Sequence, residues 1–343
     1  MHELRKDILL GRWIEVLSES KEPSEYHLRI GKGSAERSCI LCSGRENETP
    51  REITSVRKPG TLPNTPGWWV RAIPSFNPLF KVEGDLNRRG VGIYDRMNNI
   101  GANEVLIESP EHNVRPEDMG LEQMIRVIRL YRDRIVDLNK DLRLRYILIS
   151  KNSILDPWDT FFHPVSLLVA TPVIPKKIKD ELENAKQYYD YKERCIFCDI
   201  IREELRVGER IILETRNFLC FCPYASTFPF ESWIIPKRHS CDFQEISDEE
   251  IEDMGFILMN VLKKMRTIFK TEFKTELPFS YFLHTAPNRV PRRNHWHTLG
   301  DDYHWHLEII PRLIRRNGFE LGSGLFILTT SPEKAAKYLR EVG

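Results

Sequence analysis

The 343-residue sequence predicts an α+β protein in which one half-domain, an antiparallel sheet with packed helices, is built twice. Two observations carry this. Cys39 and Cys42, then His112, then His163 follow one another in the first half, and Cys195 and Cys198, then His239, then His304 repeat that order in the second. A succession of strand, helix, strand and strand is legible on both sides, which argues for a divergent duplication and against an array of short repeats. The boundary falls near Asp190 to Arg194, giving expected domains of residues 1–190 and 191–343.

In chain order, Arg45 to Pro66 is rich in Pro, Thr, Asn and charge and reads as a long surface loop. Glu104 to Glu108 and Arg145 to Ile149 read as strands. Between them Ile125, Ile128, Ile135 and Leu138 make the apolar stripe of a helix lying within Leu121 to Leu142. Ser166 to Ile174 is a further strand, and Lys176 to Tyr191 a charged helix. In the second half, Trp233 to Ile235 is a strand, and Ser247 with Glu250 forms a capping box that opens a helix running to about Phe269. Ser280 to His284 and His304 to Ile310 are the next strands, and a closing helix starts at Ser331 with Pro332 in its first turn. The last two strands of each half lie close in sequence, which favours antiparallel pairing.

Composition narrows the function classes. Lys+Arg 51 against Asp+Glu 50 gives a formal charge of +1, so no global field favours nucleic acid or a membrane surface. Small anionic ligands need only a local patch and stay open. The first residues lack the apolar core of a signal peptide, and no apolar run reaches membrane-spanning length, so the expected location is cytoplasmic. A reducing compartment favours metal ligation over disulfides for the paired cysteines; Cys220, Cys222 and Cys241 read as packing residues.

Thiolate and imidazole ligands at this spacing are what tetrahedral zinc requires. The sequence therefore predicts two zinc sites, Cys39, Cys42, His112 and His163 in the first half and Cys195, Cys198, His239 and His304 in the second. A redox dithiol at Cys195 and Cys198 lacks a thioredoxin-like context. His304-Trp305-His306-Leu307-Glu308 is the sharpest local signal, because strand alternation points His304, His306 and Glu308 to one face. The nearby His295-Trp296-His297 sits in an Arg- and Pro-rich insertion and reads as incidental.

From these residues the chain resembles the galactose-1-phosphate uridylyltransferase family, with its ADP-glucose phosphorylase relatives, in the histidine-triad superfamily. The resemblance runs through Gly11-Arg12-Trp13-Ile14, Trp69 to Pro74, Ser109-Pro110-Glu111-His112, Ala170 to Pro175, Pro236-Lys237-Arg238-His239, and Tyr303-His304-Trp305-His306-Leu307-Glu308 through Gly324. It implies two histidine-triad-like half-domains and transfer of a nucleotide between a nucleotide sugar and a hexose 1-phosphate or phosphate. In the family a histidine attacks the α-phosphorus, so that two easier displacements replace one hard one. The resemblance also implies substrate contacts at Arg71, Asn152, Thr160, Phe319 and Glu320, a homodimer, and an alternative second-half metal set of Glu181, His284, His304 and His306.

This sequence departs from the family at the reacting residues. The segment matching the family's His-Pro-His-x-Gln is His163-Pro164-Val165-Ser166-Leu167, with Val165 where the nucleophile belongs and Leu167 in place of Gln. Ile154 and Trp158 stand where glycines let backbone approach phosphate, and Asn103 and Ser75 replace the family's His and Asn. His306 and Glu308 hold the positions equivalent to Val165 and Leu167 in the second copy, which makes them the candidate catalytic pair. Two functions stay open: a zinc-containing nucleotidyltransferase, and a non-catalytic nucleotide- or sugar-phosphate-binding homologue.

Overall fold

The computed structural model describes residues 3–26, 39–153, 163–270, 278–289 and 297–342. In chain order the elements are β1 (Glu3–Lys6), β2 (Trp13–Val16), β3 (Thr54–Arg57), β4 (Trp68–Pro74), β5 (Arg89–Val91), β6 (Tyr94–Arg96), β7 (Ala102–Ile107), α1 (Leu121–Leu138), β8 (Tyr146–Asn152), β9 (Val165–Thr171) and α2 (Lys176–Lys192). They continue with α3 (Ile196–Val207), β10 (Ile211–Glu214), β11 (Phe218–Phe221), β12 (Ser232–Pro236), α4 (Asp248–Lys270), β13 (Phe279–His284), α5 (Leu299–Asp302), β14 (His306–Pro311), α6 (Gly318–Ser323), β15 (Phe326–Leu328) and α7 (Pro332–Glu341).

Ten strands form one antiparallel sheet in the order β10-β11-β12-β14-β13-β8-β9-β7-β4-β3. Read outward from its centre, β8-β9-β7-β4-β3 and β13-β14-β12-β11-β10 are the same path walked twice. The duplication is thus visible in topology. The halves join where β8 pairs with β13, from Ser280 opposite Asn152 to Leu283 opposite Ile149. The two expected half-sheets are therefore fused through their fourth strands.

The central strands bury both faces and so read as apolar runs with little alternation; β12 is buried throughout. On one face α1 and α4 bring Met124, Val127, Ile128 and Ile135, with Met254, Leu258, Val261 and Met265, onto Leu168, Ala170, Leu307 and Ile309. Gly255 lets α1 and α4 approach, since a Cβ there would stand 3.3 Å from Leu121 Cδ1. On the opposite face the halves differ. In the second half, Ile178 and Leu182 of α2 and Phe197 and Ile201 of α3 pack over Phe221 and Trp233, whereas in the first a smaller group formed by Leu41, Trp68, Ile73, Val105, Ile107 and Val165 lines it.

Local readings hold with adjusted ends. Ser247 Oγ accepts from Glu250 N at 3.2 Å and Glu250 Oε2 from Ser247 N at 2.9 Å, completing the capping box of α4. The expected loop from Arg45 to Pro66 contains β3, held to β4 by ladder pairing that its polar sequence TSVR does not advertise. The strand expected from His304 begins at His306. Finally, β1 and β2 form a small sheet with β15, parallel to β2. Residues 3–16 thus pack on the C-terminal end of the chain, with Ile14, Val16 and Leu328 in one apolar group with Ala225.

Candidate functional site

Cys39, Cys42, His112 and His163 converge in the first half, one ligand atom from each lying within 4.8 Å of every other. Cys42 Sγ is 3.5 Å from His112 Nδ1 and 3.9 Å from His163 Nδ1, and Cys39 Sγ is 3.9 Å from His163 Nδ1. A tetrahedral zinc with ordinary bonds to sulfur and nitrogen sets those edges at about 3.6 Å. His163 donates from Nε2 to the Ser109 carbonyl at 2.7 Å, which leaves Nδ1 as the lone pair facing the thiols. Burial lowers the His163 pKa to about 4, keeping the ring neutral as a ligand must be. Burial and neighbouring Cys39 push Cys42 up to about 11, so a pair of thiolates here requires a compensating cation. The residues fit zinc.

The second half repeats the arrangement. Cys195 sits at the N-terminal cap of α3 and Cys198 in its first turn; Cys198 Sγ lies 3.3 Å from His239 Nδ1, while His239 Nε2 points to the Gly300 carbonyl at 2.8 Å. Cys195, Cys198 and His239 form one ligand group. His304 stands beside them, its ring centroid 5.1 Å from that of His239, and both its buried ring nitrogens lack a hydrogen-bond partner. An imidazole with two orphaned nitrogens next to two thiols and a third ligand fits a fourth zinc ligand.

A further buried group follows on the same strand. Glu181 of α2, His284 of β13, and His306 and Glu308 of β14 place their ligand atoms within 4.8 Å of one another. His284 Nδ1 is 3.3 Å from Glu181 Oε2, and His306 Nε2 is 3.6 Å from Glu308 Oε1. Of the alternative metal set, Glu181, His284 and His306 lie in this group together with Glu308, while His304 lies beside His239. Phe197 lies between the groups, 6.2 Å from the His304 ring and 5.4 Å from that of His306. Burial opposes ionisation of Glu181 and Glu308, but the two histidines and Lys177 prevail and hold both carboxyls below their ordinary range. Lys177 Nζ reaches Glu308 Oε2 at 2.5 Å. Its part was not legible, since a lysine in a charged helix reads as solvated.

The candidate catalytic pair sits inside this group. Val165 and Leu167 on β9, and His306 and Glu308 on β14, face away from α1 and α4, as the repeat predicts. His306 is 0% exposed, stacked on Trp233 at 4.7 Å between centroids. A nucleophile needs an approach for phosphorus, and among the described residues Phe197 of α3 and Glu181 of α2 lie against His306. His306 and Glu308 are thus both buried, in a setting that suits ligands or structural partners.

Of the expected substrate contacts, Arg71 is buried and committed inward, to Glu52 Oε2 at 3.1 Å and Thr49 Oγ1 at 2.9 Å, bracing the segment before β4. Glu320 is likewise committed, capping α6 through Asn317 and pairing with Arg316 at 2.9 Å. Phe319 is 58% exposed. Asn152 ends β8 at the junction of the halves, where its Oδ1 accepts from Ser280 at 2.8 Å and Arg312 at 2.6 Å. Thr160, with Ile154 and Trp158, lies outside the described residues. Beneath Val165 runs a network the sequence reading missed: Lys151 donates to Glu108 and to the Val165 carbonyl, and Glu108 also accepts from Tyr131 and Ser166. Its only sequence signal is Lys151, the one charged residue of β8.

Residues 181–342 match the family described as galactose-1-phosphate uridyl transferase, C-terminal domain. A crystallised GalT-like protein from Arabidopsis thaliana is 30% identical, superimposes with a TM-score of 0.80, and is covered over 99% of both chains. An ADP-glucose phosphorylase from Arabidopsis thaliana, crystallised with bound ADP-glucose, is 29% identical with a TM-score of 0.81 over the whole of both chains. A galactose-1-phosphate uridylyltransferase from Thermotoga maritima is 27% identical over 99% of this chain and 98% of that one.

Proposed function

The chain belongs to the galactose-1-phosphate uridylyltransferase family, and from that premise we propose that it is a zinc-containing nucleotidyltransferase acting on a nucleotide sugar and a hexose 1-phosphate or phosphate. The observation that supports this reading is the pair of Cys/His groups able to hold a metal, each with a histidine hydrogen-bonded to a backbone carbonyl, held in a fold that matches its relatives end to end. Zinc would be held by Cys39, Cys42, His112 and His163, and by Cys195, Cys198, His239 and His304. There it supplies cross-linking between loop and strand. The substrate face is the first-half region around Val165, next to the end of β8 at Asn152; Thr160 belongs to the same proposal through the family resemblance, and Phe319 is exposed. Two half-domains, 1–190 and 191–343, a cytoplasmic setting and a homodimer belong to the same proposal; exposed Phe319 and Leu321 on α6 support the dimer.

A second reading is favoured by one specific feature. With Val165 at the nucleophile's place and His306 sealed, no described histidine is positioned to carry a nucleotide, which supports a homologue that binds nucleotide sugar or sugar phosphate without turnover. Incubation with α-phosphate-labelled UDP-glucose or ADP-glucose separates the two. Transfer of label to an added hexose 1-phosphate or phosphate supports the enzyme; saturable binding with no transfer supports the binder. Absence of both binding and transfer removes both. The Val165→His, Leu167→Gln double variant is expected to gain acid-labile label on the protein, which the parent lacks.

A further inference from the structure

A net charge of +1 conceals one local imbalance. At the base of the first half, a groove of about 440 Å³ opens between the β5–β6 hairpin, the end of β9 and the start of α2. Arg88, Arg89 and Arg96 from the hairpin, Lys179 from α2, which also meets Glu183 Oε1 at 3.3 Å, and Arg145 immediately before β8 line it, with Asp95 the one carboxylate in the lining. Many arginines in this chain pair with acids, as Arg134 does with Glu104 at 2.7 Å and Arg210 with Glu204 at 3.0 Å. Arg88, Arg89 and Arg96 are exposed and form no ion pair among the described residues. Mutual repulsion of unpaired guanidiniums around one concavity is a cost that an anion offsets.

The hairpin that carries these arginines is anchored. Arg143 donates to the carbonyls of Gly84 at 2.6 Å and Val82 at 3.0 Å, and Asn98 ties back to the Asp85 carbonyl at 2.8 Å. The floor, from Pro172 to Ile174 with Met97, is apolar. The groove lies at the Thr171 end of β9 and Val165 at the other, six residues or about 20 Å away. It is a different place from the proposed substrate face.

We propose that this groove binds a small molecule bearing two or more phosphates, the guanidinium forks clasping the phosphate oxygens and the apolar floor carrying whatever the phosphates are attached to. The volume falls at the lower end of small-ligand pockets, and several cations around one acid exceed what a single phosphate needs.

The test uses the full chain and inorganic tripolyphosphate, titrated by calorimetry at near-physiological salt. Saturable one-to-one binding is expected, weakened at least tenfold by the combined Arg88→Ala, Arg89→Ala and Arg96→Ala changes and several-fold by Lys179→Ala on the opposite wall, with nucleotide-sugar binding unchanged. The hairpin arginines are exposed, and Lys179 reports separately should the triple variant misfold. Undiminished binding in both variants overturns the proposal. So does abolition of binding by sulfate at equal ionic strength, or a parent that takes up only long polyanions such as heparin.

Discussion

His306 illustrates how one residue's environment decides its chemistry. It has the position in the repeat and the neighbouring carboxylate that a nucleophile would want, yet its ring is stacked on Trp233, and His284 lies 5.0 Å away between centroids. Removing it leaves Glu181 and Glu308 buried with one fewer partner, a loss that costs about 3–5 kcal/mol. His306→Ala is therefore expected to lower the melting temperature markedly while leaving nucleotide-sugar binding on the first-half face intact. Thermal denaturation beside a binding titration checks this; a variant that melts normally but loses transfer would restore His306 as the reacting group. That His306 and Glu308 share a face was legible from period two alone. Lys177, which closes over them from 131 positions away, was not, because nothing local distinguishes it from the other lysines of α2. The same holds for Arg71, whose acid partner Glu52 lies across a segment that looked like loop.

Among elements, those with strong periodicity were readable and those defined by distant pairing were not. The stripe of α1 and the capping box of α4 announce themselves in sequence. β1, β2 and β15 are only four, four and three residues long, and β2 finds β15 more than three hundred positions away. What secures this junction is electrostatic: Glu333 in the first turn of α7 meets Arg5 of β1 at 2.9 Å and Arg210 at 3.1 Å. Burial works against its charge, but the two arginines overcome this and lower the Glu333 pKa below 4.5. The contribution to stability is thus fully present above the unfolded value and lost as pH falls through the lower folded one. Glu333→Gln is expected to cost about 1–2 kcal/mol at pH 7, with the gap from the parent narrowing below pH 4.5. Urea unfolding at a series of pH values measures this, and a gap constant with pH would mean that packing, not charge, holds the hairpin.

Across the whole molecule, a twofold-repeated sheet has been put to unequal use. α2 and α3 cover the second half's outer face with a large apolar group, whereas the described residues over the first half's outer face form a smaller one that includes Val165, so the two copies are not equivalent. Metal should register that difference. Two zinc ions per chain are expected by elemental analysis, falling to one in Cys195→Ser, Cys198→Ser and to one in Cys39→Ser, Cys42→Ser. The two losses should differ in consequence. His239 and Cys195 anchor α3 and the turn after Thr298 to the closed half, so losing that ion should lower the melting temperature of the whole chain, since both halves share one sheet. A first-half ion would instead tie the Cys39 turn and the His112 loop to His163, two residues from Val165, so its loss should weaken nucleotide-sugar binding more than it lowers the melting temperature. A third equivalent of metal that survives the Cys195→Ser, Cys198→Ser change and disappears with Glu181→Gln would place an ion among Glu181, His284, His306 and Glu308. A stoichiometry of zero in protein purified without chelator would remove zinc from the proposed function altogether.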